Sequence, residues 1–101
     1  MTKHFILMVE DHYELASTLC EFLEEHGFVV DHARNLDAAR NFLKQHPYHI
    51  LLLDINLPDG SGYDLCEWLR TEQGLDLPVL MLTARDTLDD KLKGFASGTD
   101  D

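Results

Sequence analysis

His49-Ile50-Leu51-Leu52-Leu53-Asp54 is the stretch whose reading decides the fold. Its four aliphatic residues show no alternation with polar ones, and the run ends abruptly on a carboxylate. A short segment apolar on both faces suits a strand buried inside a parallel sheet. Upstream, Phe5-Ile6-Leu7-Met8-Val9 has the same form and ends in Glu10-Asp11; downstream, Val79-Leu80-Met81-Leu82 ends at Thr83-Ala84. Phe28-Val29-Val30-Asp31-His32-Ala33 is the second strand in chain order and carries polar residues toward its far end, as an edge strand does.

Between these runs the apolar period changes to that of a helix. Leu15, Leu19, Phe22 and Leu23 recur with Ala16 and Cys20 until Gly27, which fits a C-terminal cap. Leu36, Ala39, Phe42 and Leu43 mark a second helix stopped by Pro47. Leu65, Cys66, Trp68 and Leu69 mark a third, with Gly74 and Pro78 at its exit. Leu88, Leu92, Phe95 and Ala96 mark a fourth, with Thr87 and Asp90 resembling a capping box and Gly98 as its stop. Pro58, Asp59, Gly60 and Gly62 read as loop chemistry after the third strand. Strand and helix alternating four times predict an α/β domain with a parallel sheet and right-handed crossovers.

A chain of 101 residues fits one domain. Its 19 acidic residues against 8 Lys and Arg, a net charge of −11, repel nucleic acid and anionic membranes and favour cations or basic partners. Cys20 and Cys66 are not in a CxxC spacing and fall in helical patterns, so they are expected to be reduced, buried small hydrophobes. The apolar run at 5–9 is too short for a signal sequence or membrane span, and a cytosolic chain is expected. His4, His26, His32, His46 and His49 show no metal spacing. His12 adjoins the acidic pair but reads as an exposed residue at a helix start, and Tyr63 and Trp68 read as packing residues.

Chemistry is expected where strands end, because open parallel sheets bind ligands beyond their carboxyl edges. If the first and third strands are neighbours, Glu10, Asp11 and Asp54 converge in one crevice. Two unit charges about 4 Å apart repel by roughly 4 kcal/mol at an effective dielectric near 20, so three acids need compensation. A hard divalent ion with oxygen ligands, of which Mg²⁺ is the fitting example, supplies it. A carboxylate beside such an ion is a competent nucleophile toward phosphorus, and Thr83 is placed to donate to a phosphoryl oxygen while Ala84 leaves room. For a single acid, a helix cap is the better reading, and Asp11 is a candidate for that role. Three acids at two strand ends, with a hydroxyl at another, favour a site.

These residues resemble the receiver domains of bacterial two-component response regulators. The resemblance is carried by Glu10-Asp11, by Leu-Leu-Leu-Asp-Ile-Asn-Leu-Pro-Asp-Gly-Ser-Gly at 51–62, by Pro-Val-Leu-Met-Leu-Thr-Ala-Arg at 78–85, and by Gly-Thr-Asp-Asp at 98–101. It implies a flavodoxin-like, doubly wound parallel sheet with strand order 2-1-3-4. It further implies that Asp54 accepts a phosphoryl group from a sensor histidine kinase and that Asp11 and Asp54 bind Mg²⁺. Glu10 would act through water, and the Asn56 backbone carbonyl would complete the protein ligands. Thr83 would bind the phosphoryl group, while Asn56 and Arg85 would tune its lifetime. A receiver is a phosphoacceptor that assists its own phosphorylation and dephosphorylation, not an ordinary enzyme. The Leu-Pro-Asp-Gly-Ser-Gly wording is most similar to regulators with a C-terminal winged-helix DNA-binding domain and a transcriptional output.

The resemblance also implies a fifth strand bearing a Lys-Pro pair and a fifth helix, which these residues do not include. The expectation is therefore an incomplete receiver domain over 1–101. The edge of its fourth strand would invite pairing into a homo-oligomer. The alternative expectation is an interaction module that does not signal. Two enzymatic readings fit poorly. FMN binders need a hydroxyl-rich loop where Glu10-Asp11-His12-Tyr13-Glu14 stands, and haloacid-dehalogenase-type phosphatases need an acid where Asn56 stands.

Overall fold

The computed structural model describes residues 3–74 and 76–82. Expectations for Thr83, Ala84, Arg85, the fourth helix and the terminal Gly-Thr-Asp-Asp lie outside the described residues. Among the described residues, six strands and three helices follow in order: β1 His4–Val9, α1 Tyr13–Glu25, β2 Phe28–Ala33, α2 Leu36–Gln45, β3 Ile50–Asp54, β4 Asn56–Leu57, β5 Gly60–Ser61, α3 Gly62–Thr71 and β6 Val79–Leu82. The main sheet has the order β2-β1-β3-β6, with every pair parallel. This is the doubly wound order expected, β6 standing as its fourth strand. The two additional strands form a small antiparallel hairpin in the β3–α3 loop, pairing Asn56 with Ser61 and Leu57 with Gly60.

Burial explains the unbroken apolar runs. Leu7, Val9, Leu51 and Leu53 pack with Leu36, Ala39, Leu43, Leu65 and Leu69, on the face that α2 and α3 cover. Their neighbours in sequence, Ile6, Met8 and Leu52, pack with Ala16 and half-buried Leu19, Cys20 and Leu23 under α1. Side chains alternate between faces along a strand, so a strand covered on both sides must be apolar throughout. Each fully buried Leu contributes about 1.5–3 kcal/mol relative to exposure.

Helix ends follow local chemistry. Gly27 takes φ +90° just after α1, a backbone that favours glycine, as its cap position predicts. Ser61 and Asp64 form a reciprocal capping box on α3. Three details differ from expectation. Phe22 is 55% exposed, its ring 4.5 Å from that of His26, so the apolar stripe of α1 is narrower than its spacing suggests. Tyr63 is exposed too, while Trp68 does pack against the core. Both cysteines are free but only half-buried.

At the other end of the sheet, His49 Nδ1 accepts the Phe5 amide at 2.9 Å and the His49 amide donates to the Phe5 carbonyl at 2.8 Å. The Tyr48 hydroxyl donates to the Asp31 carboxylate, linking the start of β3 to the edge strand. A cavity of about 620 Å³ opens here, lined by residues such as His46, Tyr48, Asp76 and Pro78. It lies at the amino ends of β3 and β6, away from the carboxylates that end β1 and β3.

Candidate functional site

Sheet register brings the acids together. β1 and β3 are adjacent with Val9 opposite Leu53, so Glu10 and Asp54, each one residue on, emerge side by side. The Glu10 amide donates to the Ala33 carbonyl at 3.0 Å, and His32 Nε2 lies 2.6 Å from the Glu10 carbonyl oxygen. Those two bonds to β2 fix the Glu10 backbone. Single carboxylate oxygens of Glu10, Asp11 and Asp54 then lie within 4.8 Å of one another. Glu10 and Asp54 are each 2% exposed, whereas Asp11 is exposed.

The electrostatic cost of this gathering is visible in the proton affinities. Burial pushes the Glu10 carboxyl up to about 7; the His12 amide, 2.9 Å from Oε2, works against this, and the nearby Asp54 and Asp11 add to it. Burial also raises Asp54, opposed by the amides of Ile55 and Asn56 and reinforced by the charge of Asp11. Asp54 Oδ1 is buried with no hydrogen-bond partner. A buried acceptor normally has a donor. An orphaned oxygen facing two more carboxylates suits a hard cation with oxygen ligands. No other converging group of three His, Cys, Asp or Glu ligands occurs among the described residues.

Two expectations at the helix entrance need correction. Asp11 does not cap α1: the capping position is His12, and its side chain makes no cap bond. Nor is His12 a plain exposed residue. It is half-buried, and its Nδ1 is buried without a partner. The chain turns tightly from β1 into α1 to deliver both acids, and the ring at the turn is carried inward.

The loop after Asp54 is shaped by contacts that the sequence does not announce. The Gly62 amide donates to the Ile55 carbonyl at 2.7 Å. A Cβ at Gly62 would stand 2.3 Å from the Asp54 carbonyl oxygen, so only glycine lets α3 start against the end of β3. At the hairpin tip, Asp59 Oδ1 accepts the Leu36 amide at 2.9 Å and Oδ2 accepts the Asp37 amide at 3.1 Å. These amide bonds hold the Asp59 carboxyl below its ordinary range. A shallow cleft of about 310 Å³ beside Asp11 is lined also by Arg34, Asn35 and Pro58, which places one cation at the rim of the acidic group.

Of the expected site residues, Glu10, Asp11 and Asp54 are thus brought together. Asn56 opens β4, its side chain exposed and its amide against the Asp54 carboxylate. Leu82, the last described residue of β6, is the register partner of Asp54, while Thr83 and Arg85 lie outside the described residues. Gly62 and Asp59 were missed as site-shaping residues. The signal available was the Ser-x-x-Asp capping box at 61–64, which fixes where α3 begins.

Residues 6–101 match the response regulator receiver domain family. The transcriptional regulatory protein TctD of Salmonella typhimurium is 41% identical over 96 residues, which are 95% of this chain and 42% of that protein. The phosphate regulon transcriptional regulatory protein PhoB of Escherichia coli is 39% identical over 97 residues, with the same two shares. The chain therefore spans under half the length of these relatives. Among solved structures, the non-phosphorylated HemR receiver domain of Leptospira biflexa superposes with a TM-score of 0.74 at 38% identity, covering 95% of this chain and 77% of that one. The response regulator TrrA of Thermotoga maritima, in complex with Mg(2+)-BeF, superposes with a TM-score of 0.75 at 28% identity, covering 95% and 83%. By sequence, strand order and the convergence of acids at the carboxyl edge of its sheet, this chain belongs to the receiver domains of two-component response regulators.

Proposed function

We propose that Asp54 is the phosphoacceptor and that Asp11, Asp54 and the Asn56 backbone carbonyl hold Mg²⁺, with Glu10 acting through water. The observation that carries this reading is the buried, unpartnered Oδ1 of Asp54 within 4.8 Å of two further carboxylates. When bound, Mg²⁺ offsets negative charge on both the attacking carboxylate and the arriving phosphoryl group. An Asp54 oxygen attacks phosphorus in line. The bond from phosphorus to the donor nitrogen breaks, and its electron pair leaves with the imidazole of a sensor histidine kinase. Burial under β1, β3 and the hairpin limits water around the aspartyl phosphate. Thr83 binds the phosphoryl oxygens, and Asn56 and Arg85, flanking the pocket in sequence, set how long the phosphate lasts. The output is transcriptional, in keeping with the transcriptional regulatory proteins TctD and PhoB, and nucleic acid is not bound by these 101 residues themselves.

Phosphoramidate with Mg²⁺ tests the acceptor. Intact mass should show one phosphoryl adduct on the wild type and none on Asp54→Asn, with matching circular dichroism. Equal labelling of the two proteins refutes the assignment.

A further inference from the structure

Asp59 stands at the tip of the β4–β5 hairpin, five residues beyond the proposed acceptor, and its carboxylate leaves its own loop altogether. Both oxygens are used on α2: Oδ1 takes the Leu36 amide at 2.9 Å and Oδ2 the Asp37 amide at 3.1 Å. That helix already has a local cap, since Asn35 Oδ1 accepts the Ala38 amide at 2.8 Å. Asp59 satisfies two further first-turn amides of α2 from 23 and 22 residues away, so it both caps the helix and ties two separate segments of chain together. Gly60 confirms the closeness of the seat. It takes φ +148°, and a Cβ there would meet Leu36 Cδ1 at 2.8 Å.

The hairpin is thus held at two points. Its base is closed by the Gly62 amide on the Ile55 carbonyl, and its tip is pinned to the start of α2 by Asp59. Asn56 lies between these points, and its amide also supports the Asp54 carboxylate. We infer that Asp59 is a positioning residue for the metal: its bonds to α2 hold the backbone of Asn56 in the place from which it serves the cation. This rests on the metal reading of the acidic cluster proposed above. Asp59 is not a member of the converging group of Glu10, Asp11 and Asp54, so it acts through the loop.

Three variants of the full chain separate positioning from simple helix capping and from charge. Asp59→Ala removes the tie. Asn35→Ala removes the neighbouring cap of the same helix and leaves the tie. Asp59→Asn removes the charge and keeps an acceptor. Calorimetric titration with MgCl₂ reads affinity, and amide hydrogen exchange in Mg²⁺-free buffer reads the loop. Asp59→Ala should weaken Mg²⁺ binding roughly tenfold, in the range carried by groups that orient metal ligands. It should also speed exchange at Leu36, Asp37, Ile55 and Asn56. Asn35→Ala should speed exchange at Ala38 while keeping Mg²⁺ affinity within about twofold of the wild type, and Asp59→Asn should lie nearer the wild type than Asp59→Ala does. Wild-type affinity in Asp59→Ala, equal losses in Asp59→Ala and Asn35→Ala, or equal losses in both Asp59 variants overturns the inference alone. A wild type that does not bind Mg²⁺ overturns the metal reading and this one with it.

Discussion

Replacing Glu10 by Gln should make the metal-free protein more stable at pH 8, and by less than about 1 kcal/mol at pH 5. Glu10 is 2% exposed, and its carboxyl is carried from an ordinary 4.5 to about 7, chiefly by burial. A raised carboxyl binds its proton more tightly in the folded chain than in the unfolded one. Between pH 4.5 and 7 the folded state therefore holds more protons, and stability must fall as pH rises through that window. At about 1.4 kcal/mol for each tenfold change in proton affinity, the loss is about 3 kcal/mol at most. That is a large share of the 5–15 kcal/mol typical of whole domains. Gln keeps the shape and an acceptor for the His12 amide, which Glu10 Oε2 now receives at 2.9 Å, but it never ionises.

Urea unfolding of both proteins in EDTA at pH 5, 6, 7 and 8 measures this. Their difference removes contributions from groups away from Glu10 and leaves that of Glu10 together with its coupling to Asp54, whose carboxyl is raised in the same direction. The two stabilities should differ by under about 1 kcal/mol at pH 5 and by about 3 kcal/mol at pH 8. Saturating Mg²⁺ should narrow the gap, since a ligand of the folded state stabilises it by mass action. Parallel pH curves, or a Gln variant weaker at pH 8, would mean that the Glu10 carboxyl carries no strained charge and that the electrostatic account of the cluster is wrong.

Two further substitutions probe the same pocket. Asp11→Ala should weaken Mg²⁺ binding about thirtyfold, because a divalent ion about 4 Å from a carboxylate gains about 2 kcal/mol even at the dielectric of water; an unchanged calorimetric titration would remove Asp11 from the ligands. Gly62→Ala should cost about 3 kcal/mol or more in urea unfolding, since overpacking against backbone cannot relax by a rotamer change and the new methyl would stand 2.3 Å from the Asp54 carbonyl oxygen; a loss under about 1 kcal/mol would show that α3 shifts freely from the end of β3.

What the sequence made legible was whatever burial on two faces dictates. Leu51, Leu52 and Leu53 are apolar because α2 and α3 cover one side and α1 the other, and the carboxylate that ends their run is the first residue to leave that sandwich. The same logic holds for Val9 and Glu10, so convergence of the acids followed once β1 and β3 were neighbours. The β4–β5 hairpin was not legible. It is two residues on each side, too short for any period, and it turns on a Gly60 backbone whose need appears only against Leu36. Gly62 and Asp59 were read as loop chemistry for the same reason, because their partners, Asp54 and the amides of Leu36 and Asp37, are set by the tertiary fold. The burial of Glu10 and His12 likewise depends on how sharply the chain turns from β1 into α1. Periodicity reports which face is covered, but side-chain chemistry at a strand end depends on contacts between segments far apart in sequence. The acids themselves were therefore readable, whereas the residues that aim them, and the proton affinity that their crowding imposes, required coordinates.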